Sequence, residues 1–173
     1  MFYVRLSALL SLMVLAVGCG SLRPANPDVR RTTRPGGTVD NTSHIRTDLV
    51  QHAQELLNTR YQWGGNRPNE GFDCSGLVVY LYQNAGLDNI ARVSRDQAKQ
   101  GKEVRRQEAR PGDLVFYKKS AAGKVFHVSV VVEATPTELW VIHATSSRGV
   151  IREDVLASPY WRPKIYQVRN VFF

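Results

Sequence analysis

The feature that most constrains the fold is a cysteine that directly follows an aspartate at the start of an apolar, helix-like run. The segment reads Gly-Phe-Asp-Cys-Ser-Gly over residues 71–76. Asp73 is a favoured helix N-cap residue, and apolar residues recur after it at three-to-four spacing as far as Gly86, which suits a C-terminal stop. The pattern predicts a helix whose first turn contains Cys74.

A thiol in the first turn of a helix faces unpaired backbone N–H groups and the positive end of the helix dipole. Cysteines in that position titrate at about 3.5–7.5 rather than about 8.5, so we expect Cys74 to ionise readily. An inert core cysteine is the competing interpretation, because cysteine is also among the most buried residue types. The local pattern leaves both open.

The rest of the pattern predicts helices first and strands afterwards. A helix is expected over residues 45–57 behind Thr42 and Ser43 as candidate caps, and a short polar helix over residues 94–100. Strands are expected at residues 114–117, 125–133, 138–144, 150–152 and 165–171. Helices followed by an antiparallel meander of about five strands make an α+β domain.

The N-terminus has the pattern of an export signal. Arg5 precedes an apolar run, residues 6–17, that is too short to span a bilayer comfortably. The following Leu-Ala-Val-Gly-Cys, residues 15–19, resembles a bacterial lipobox, which predicts a signal peptide over residues 1–18 and a lipid on Cys19. Gly20 resembles the residue found in lipoproteins sent to the outer membrane of Gram-negative bacteria, facing the periplasm. A simple secretory signal cleaved nearby is the alternative.

Two cysteines in an exported chain normally indicate a disulfide. A lipid on Cys19 removes that option and leaves Cys74 as a free thiol. A Cys19–Cys74 disulfide is the weaker alternative, because it would pin a flexible tail to a helix start. Residues 19–43 are rich in Pro, Gly, Thr, Asn and Arg and indicate a disordered tether, so residues 44–173 form the single expected domain.

The formal net charge is +8. The basic residues are scattered, as in Arg105-Arg106 and Lys118-Lys119, and form no aromatic-interleaved stripe or nucleic-acid motif, so we expect no nucleic-acid partner. A basic exported domain suits an anionic polymer or an anionic lipid surface, and a merely solvated face is the alternative.

Two histidines, His127 and His143, occupy strands that are expected to be neighbours. A Cys–His pair needs an imidazole within about 2.6–3.2 Å to take the thiol proton, and a third polar group to fix its tautomer. Cys74, His127 and His143 together suit those three roles. His44 and His52 are expected at the surface.

The order of these motifs resembles that of the NlpC-type family, also written NlpC and p-sixty, of papain-like cell-wall cysteine peptidases. The matching segments are Tyr-Gln-Trp-Gly-Gly (61–65), Phe-Asp-Cys-Ser-Gly-Leu (72–77), Arg-Val-Ser (92–94) with Gln97 and Gly101, Pro-Gly-Asp-Leu-Val-Phe (111–116), His-Val (127–128) and Ile-His-Ala (142–144) with Gly149-Val150. The tail, with Pro-Tyr-Trp at residues 159–161, also resembles the ending of lipoprotein murein endopeptidases.

The resemblance implies a papain-like fold with the nucleophile at a helix start, packed on an antiparallel sheet. It implies Cys74 as nucleophile, His127 as general base and then acid, and His143 as the orienting residue. It further implies four substrate-binding residues near the nucleophile: Tyr61, Asp73, Ser75 and Arg92. Trp63 is expected to pack under its loop. The family pattern often has glycine at the position of Ser129 and proline at that of Ala91, so both departures concern the shape of the groove.

The implied activity is hydrolysis of an amide bond beside diaminopimelate in peptidoglycan stem peptides or cross-links, through a thioester acyl-enzyme, with no metal or organic cofactor. The expected partners are peptidoglycan and the membrane that holds the lipid, and a regulatory protein or protease adaptor is a further candidate. Three alternatives remain: a zinc enzyme with Cys74, His127 and His143 as ligands, a non-enzymatic wall-binding lipoprotein, and a transacylating or toxin-like relative on the same fold.

Overall fold

Short apolar runs from Leu114 onwards supply most of the strands of one antiparallel sheet. The structure is a computed structural model that describes residues 41–172. The strands of this sheet are β3 (Lys102–Val104), β4 (Leu114–Lys118), β5 (Val125–Ala134), β6 (Leu139–Thr145), β7 (Gly149–Asp154) and β8 (Ile165–Asn170), in the order β3-β8-β4-β5-β6-β7. A separate two-stranded hairpin joins β1 (Asn66–Arg67) to β2 (Gly71–Phe72), directly before the cysteine.

Within residues 41–172, three helices precede or interrupt these strands: α1 (Asn41–Glu55), α2 (Cys74–Asn84) and α3 (Ser94–Gln97). Single 3₁₀ turns lie at Arg106–Glu108 and Arg162–Lys164. Gly86, with a φ of 77°, follows the end of α2 as the glycine stop predicted from the sequence. Among residues 41–172, none of the helices is long and apolar enough to cross a membrane.

The sheet is buried on both faces because its strands alternate between two apolar clusters. Leu114 and Phe116 of β4 pack with the apolar faces of α1 and α2, whereas Val115 and Tyr117 pack on the opposite face with Trp161. The period-two alternation of side chains along a strand therefore separates a helix-covered layer from a second, smaller core.

The α+β prediction is confirmed, and the structure corrects four details of it. In the part of the chain that the structure describes, the sheet has six strands rather than about five, and β8 inserts between β3 and β4, so the sheet is not a simple meander. The first helix begins at Asn41, inside the predicted tether and before the candidate caps. The third helix ends at Gln97, shorter than expected. The predicted signal peptide, Cys19 and the tether up to residue 40 lie outside the described residues.

Candidate active site

The start of α2 is held by the carboxylate that the sequence predicts as its cap. Asp73 has an extended backbone, and its Oδ1 accepts a 2.6 Å hydrogen bond from the backbone N–H of Gly76. The hydroxyl of Ser75 donates to the same oxygen at 3.1 Å. Cys74 is therefore the first residue of a capped helix, as its sequence context predicts.

The sulfur of Cys74 is partly buried, and this burial decides its ionisation. Burial raises the pKa of the Cys74 thiol to about 11. The backbone N–H groups of Val128 and Ser75 face the sulfur and oppose the shift without overcoming it. The prediction of a readily ionised thiol is wrong for the resting site, because the cost of desolvating a thiolate outweighs its hydrogen bonds.

Two buried histidines from neighbouring strands meet beside this cysteine. His127 of β5 directly precedes Val128, whose N–H faces the sulfur. Its Nε2 lies 2.9 Å from Nδ1 of His143 on β6. Burial, and then the proximity of His143, hold the pKa of His127 well below its usual value, so its imidazole is neutral at pH 7. Among the described residues, neither ring has a hydrogen bond to the sulfur: His127 is bonded to His143, and His143 to Glu153.

Glu153, which the sequence analysis missed, extends the histidine pair by a further hydrogen bond. Nε2 of His143 lies 2.7 Å from Oε1 of Glu153 on β7. Arg148 reaches both oxygens of that carboxylate at 3.1 Å. His143 pairs with Ile151 in the hairpin, and Glu153 is two residues farther on the same face of the strand. The period-two pattern and the turn before Gly149 are the signals that could have located it.

The charge of Glu153 fixes the direction of the two hydrogen bonds that link His127, His143 and Glu153. The hydrogen bond from His143 holds the pKa of Glu153 at about 2, so the carboxylate only accepts. Nε2 of neutral His143 must then carry the hydrogen, and its Nδ1 must accept from Nε2–H of His127. This assignment, inferred from the hydrogen-bond network, leaves Nδ1 of His127 with a free lone pair.

Trp161 covers the ring of His127 from the side. The two rings stack with centroids 4.5 Å apart and an interplanar angle of 23°. Trp161 also lies 5.1 Å from the ring of His143, and it is itself buried. The indole therefore excludes water from one face of the histidine pair and presents its negative π-face to any positive charge formed there.

Three of the four predicted substrate-binding residues form one hydrogen-bonded cluster. Arg92 binds both oxygens of Asp73, at 2.9 and 3.1 Å, and the hydroxyl of Ser75 at 3.1 Å. It also donates to the carbonyl of Gly64, whose N–H donates to Asp73. Burial would raise the pKa of Asp73, but the hydrogen bonds of Arg92 and Gly76 outweigh it and hold that pKa below its usual value.

Tyr61, the fourth predicted substrate-binding residue, lies beside this cluster. Its backbone forms a bridge with Phe72, directly before Asp73. Burial, and then the charges of Cys74 and Asp73, raise the pKa of the Tyr61 phenol, so it remains a hydrogen-bond donor at neutral pH. The structure thus places all four predicted substrate-binding residues around the start of α2.

The NlpC/P60 family model matches residues 58–170, which include every residue of the cluster and of the histidine chain. The chain belongs to the NlpC/P60 family. A probable endopeptidase, NlpC, from Escherichia coli is 28% identical over 168 residues, 97% of this chain and all of that protein. The murein DD-endopeptidase and LD-carboxypeptidase MepS from Escherichia coli is 28% identical over 127 residues, 73% of this chain and 63% of that protein.

A gamma-DL-glutamyl hydrolase from Bacillus subtilis is 34% identical over 123 residues, but the matched region is 71% of this chain and only 29% of that protein. The solved structure of an NlpC/P60 family protein from Bacillus cereus superposes with a TM-score of 0.65 at 27% identity, covering 73% of this chain and 40% of that chain. The family and its papain-like α+β fold are therefore shown, and the relatives are peptidoglycan endopeptidases and related hydrolases.

The two departures from the NlpC/P60 pattern have local structural reasons. The buried hydroxyl of Ser129 lies 2.7 Å from that of Tyr117, so serine adds a hydrogen bond inside the smaller core. Ala91 donates its backbone N–H to Oε1 of Gln100 at 2.8 Å, a bond that proline could not make. Neither side chain removes a polar group from the histidine chain.

Of the remaining expectations, some are confirmed and others are wrong. Trp63 is 84% exposed, so the prediction that it packs under its loop is wrong. His44 is exposed as predicted, whereas His52 is half-buried with its ring 5.4 Å from that of Tyr80. Within residues 41–172, no group of three Cys, His, Asp or Glu side chains is arranged to hold a metal ion. The zinc alternative therefore finds no ligand set in the part of the chain that the structure describes.

Proposed function

We propose that this NlpC/P60 protein is a cysteine-type endopeptidase that hydrolyses amide bonds in peptidoglycan stem peptides or cross-links, next to diaminopimelate. The observation that supports this most is the hydrogen-bonded series from His127 through His143 to Glu153. It begins at the residue before Val128, whose backbone N–H faces the sulfur of Cys74 at the start of α2. The endopeptidase relatives support the substrate class.

The first step follows from the protonation states of the resting site. Because burial raises the pKa of the thiol and lowers that of the imidazole, the proton stays on sulfur until a substrate arrives. Nδ1 of His127 then takes the thiol proton as sulfur attacks the amide carbon and the carbonyl oxygen becomes negative. The new imidazolium is stabilised by Glu153 through His143 and by the π-face of Trp161.

The tetrahedral oxyanion needs donors at the helix start. The backbone N–H of Cys74 lies at the positive end of α2, and the protonated phenol of Tyr61 lies in the same region. Collapse of the intermediate breaks the C–N bond, and the leaving amine takes the proton from His127. Water then attacks the thioester with His127 as base, which releases the carboxylate and restores the thiol.

The site belongs in the cell envelope under this proposal. The lipobox-like segment before Cys19 supports a diacylated cysteine, and Gly20 supports an outer-membrane lipoprotein that faces the periplasm. A Cys19→Ser variant is then expected to leave the membrane fraction while remaining active in solution. A variant that still sediments with membranes would refute the lipid anchor without touching the peptidase.

The activity itself is tested with the mature chain from residue 19, carrying Cys19→Ser, on purified diaminopimelate-type peptidoglycan. Mass spectrometry of the released muropeptides is compared with that for the same chain carrying Cys74→Ala. Fragments released by the Cys74 protein alone are expected, and their masses identify the bond. Equal release by both chains would refute a cysteine mechanism, and no release with retained binding to the wall would favour the non-enzymatic wall-binding lipoprotein.

A further inference from the structure

Two segments of the chain carry positive charge without any acidic residue. Neither residues 114–132 nor residues 155–172 contain an aspartate or glutamate. We call the basic face the five cations of these segments that lie at one end of the sheet, together with two exposed tyrosines: Lys118, Lys119, Lys124, Arg162, Lys164, Tyr160 and Tyr166.

The sheet brings these two segments together. β4 and β8 are neighbours, with Tyr117 opposite Ile165, so the end of β4 lies beside the start of β8. Nζ of Lys118 lies 3.5 Å above the ring of Tyr166, and Nζ of Lys164 lies 3.6 Å above that of Tyr160. The end of β4 and the start of β8 thus lie side by side, and two of the cations each cover one of the tyrosines.

The charges of the basic face are not neutralised by the protein. Within residues 41–172, none of its five cations forms an ion pair, although arginines elsewhere, such as Arg148 and Arg152, do. Tyr160 and Tyr166 are 53% and 50% exposed. Uncompensated like charges beside exposed aromatic rings attract an anionic partner with apolar surface of its own.

The basic face is continuous with the catalytic site. The ring of Tyr160 lies edge-on against Trp161 at 4.8 Å, and Trp161 stacks on His127. Nζ of Lys119 lies 5.5 Å from the ring of Phe126, which precedes that histidine. A partner that contacts Tyr160 therefore lies next to the indole that stacks on His127.

We propose that the basic face binds carboxylate-bearing strands of the peptidoglycan substrate next to the bond being cut. This proposal rests on the proposed function, because it assigns a second contact region to the same polymeric substrate. A wall strand bound there lies beside the histidine pair, whereas a membrane lying on the same face would block the approach of a polymer. The position of the face thus favours the wall over anionic lipid.

The binding test uses the mature Cys19→Ser chain made inactive by Cys74→Ala, so that bound wall is not digested. Lys118→Gln/Lys119→Gln/Lys124→Gln removes three charges from the basic face. The matched control, Lys102→Gln/Arg106→Gln/Arg110→Gln, removes three charges from residues outside the basic face. Binding to purified sacculi is measured by co-sedimentation over a range of NaCl concentrations.

We expect the basic-face variant to bind sacculi about 10-fold more weakly at low salt and the control to bind within 2-fold of the parent. The difference should vanish near 1 M NaCl, where charges separated by more than about 3 Å are screened. The double variant Lys119→Gln/Lys124→Gln changes only exposed hairpin positions, so it is not expected to misfold. It should show part of the loss of sacculus binding. Equal binding by parent and basic-face variant would overturn the proposal.

Turnover separates this proposal from the proposed function. With Cys74 intact, the basic-face variant should keep its kcat/KM on a small soluble muropeptide within 2-fold but digest sacculi about 10-fold more slowly. Loss on both substrates would overturn the binding role. If the parent protein cleaves neither the muropeptide nor sacculi, the proposed peptidase activity is refuted, but the co-sedimentation test of wall binding still stands. If the basic-face variant loses binding to phosphatidylglycerol vesicles but binds sacculi as well as the parent does, the proposal is overturned in favour of a lipid surface.

Discussion

Replacing Glu153 by glutamine tests the hydrogen-bonded chain most directly. Glutamine has the same shape and can still accept the hydrogen bond from Nε2 of His143, so the orientation of the ring is kept. The negative charge is lost. The change therefore isolates the electrostatic contribution of Glu153 to the imidazolium that forms when His127 takes the thiol proton.

The magnitude follows from the geometry. Glu153 lies 2.7 Å from one nitrogen of His143, and His127 lies 2.9 Å from the other. The carboxylate is thus about 8 Å from the nearer nitrogen of His127, where two unit charges attract by about 2 kcal/mol at an effective dielectric constant of about 20. A barrier higher by about 2 kcal/mol slows the step about 30-fold. Arg148 offsets part of this attraction, so we expect a loss of about 10- to 30-fold.

The assay measures kcat and KM on a soluble cross-linked muropeptide from pH 4 to 9. The loss should fall on kcat, because Glu153 does not touch the substrate. Removing the carboxylate also lowers the pKa of the histidine pair, so the acidic limb of the rate profile should move to lower pH. Glu133→Gln is the control, since Glu133 is an exposed strand glutamate 3.7 Å from Arg152.

An electrostatic role for Glu153 is refuted if the kcat of Glu153→Gln stays within 2-fold of the parent value and the acidic limb of its pH profile does not move. A loss confined to KM would also contradict it, because that would make Glu153 a binding residue. Thermal melts test whether unfolding causes the loss of activity: Glu153→Gln and the Glu133→Gln control should both melt within a few degrees of the parent.

Three further predictions concern the thiol, a buried ion pair and the helix start. Because burial raises the pKa of Cys74 to about 11, its alkylation by iodoacetamide should accelerate about tenfold per pH unit from pH 7 to 9; a plateau below pH 7 would show a resting thiolate–imidazolium pair. Arg46→Met leaves buried Asp113 without its 2.8 Å partner and should lower the free energy of unfolding in urea by about 3–5 kcal/mol; a loss below about 1 kcal/mol would contradict this. A methyl group at Gly76 would lie 2.0 Å from a backbone carbonyl oxygen, whereas one at Gly86 meets nothing within 4 Å. Gly76→Ala should therefore melt well below Gly86→Ala, which costs about 1–2 kcal/mol for its positive φ, and equal melting temperatures would refute the close approach.

Local signals in the sequence located most of the elements to within one or two residues. The Asp73 cap located the start of α2, and short apolar runs located β4 to β8. β3 was missed, because the polar segment Lys102–Val104 becomes a strand only by pairing with β8. The insertion of β8 beside β4 was missed for the same reason: strand order depends on long-range pairing that no local pattern records.

For the candidate site, too, the sequence accounts for one part and the tertiary structure for another. The sequence by itself determined which residue types are available and where they begin: a capped cysteine, two strand histidines and a cluster of polar residues around the cap. The tertiary structure decided their chemistry. Burial, which depends on every element packed around a group, raised the pKa of Cys74 against its helix dipole and lowered that of His127. Only the register of the β6–β7 hairpin brought Glu153 to His143, because one residue of slip would turn the carboxylate to the other face of the sheet.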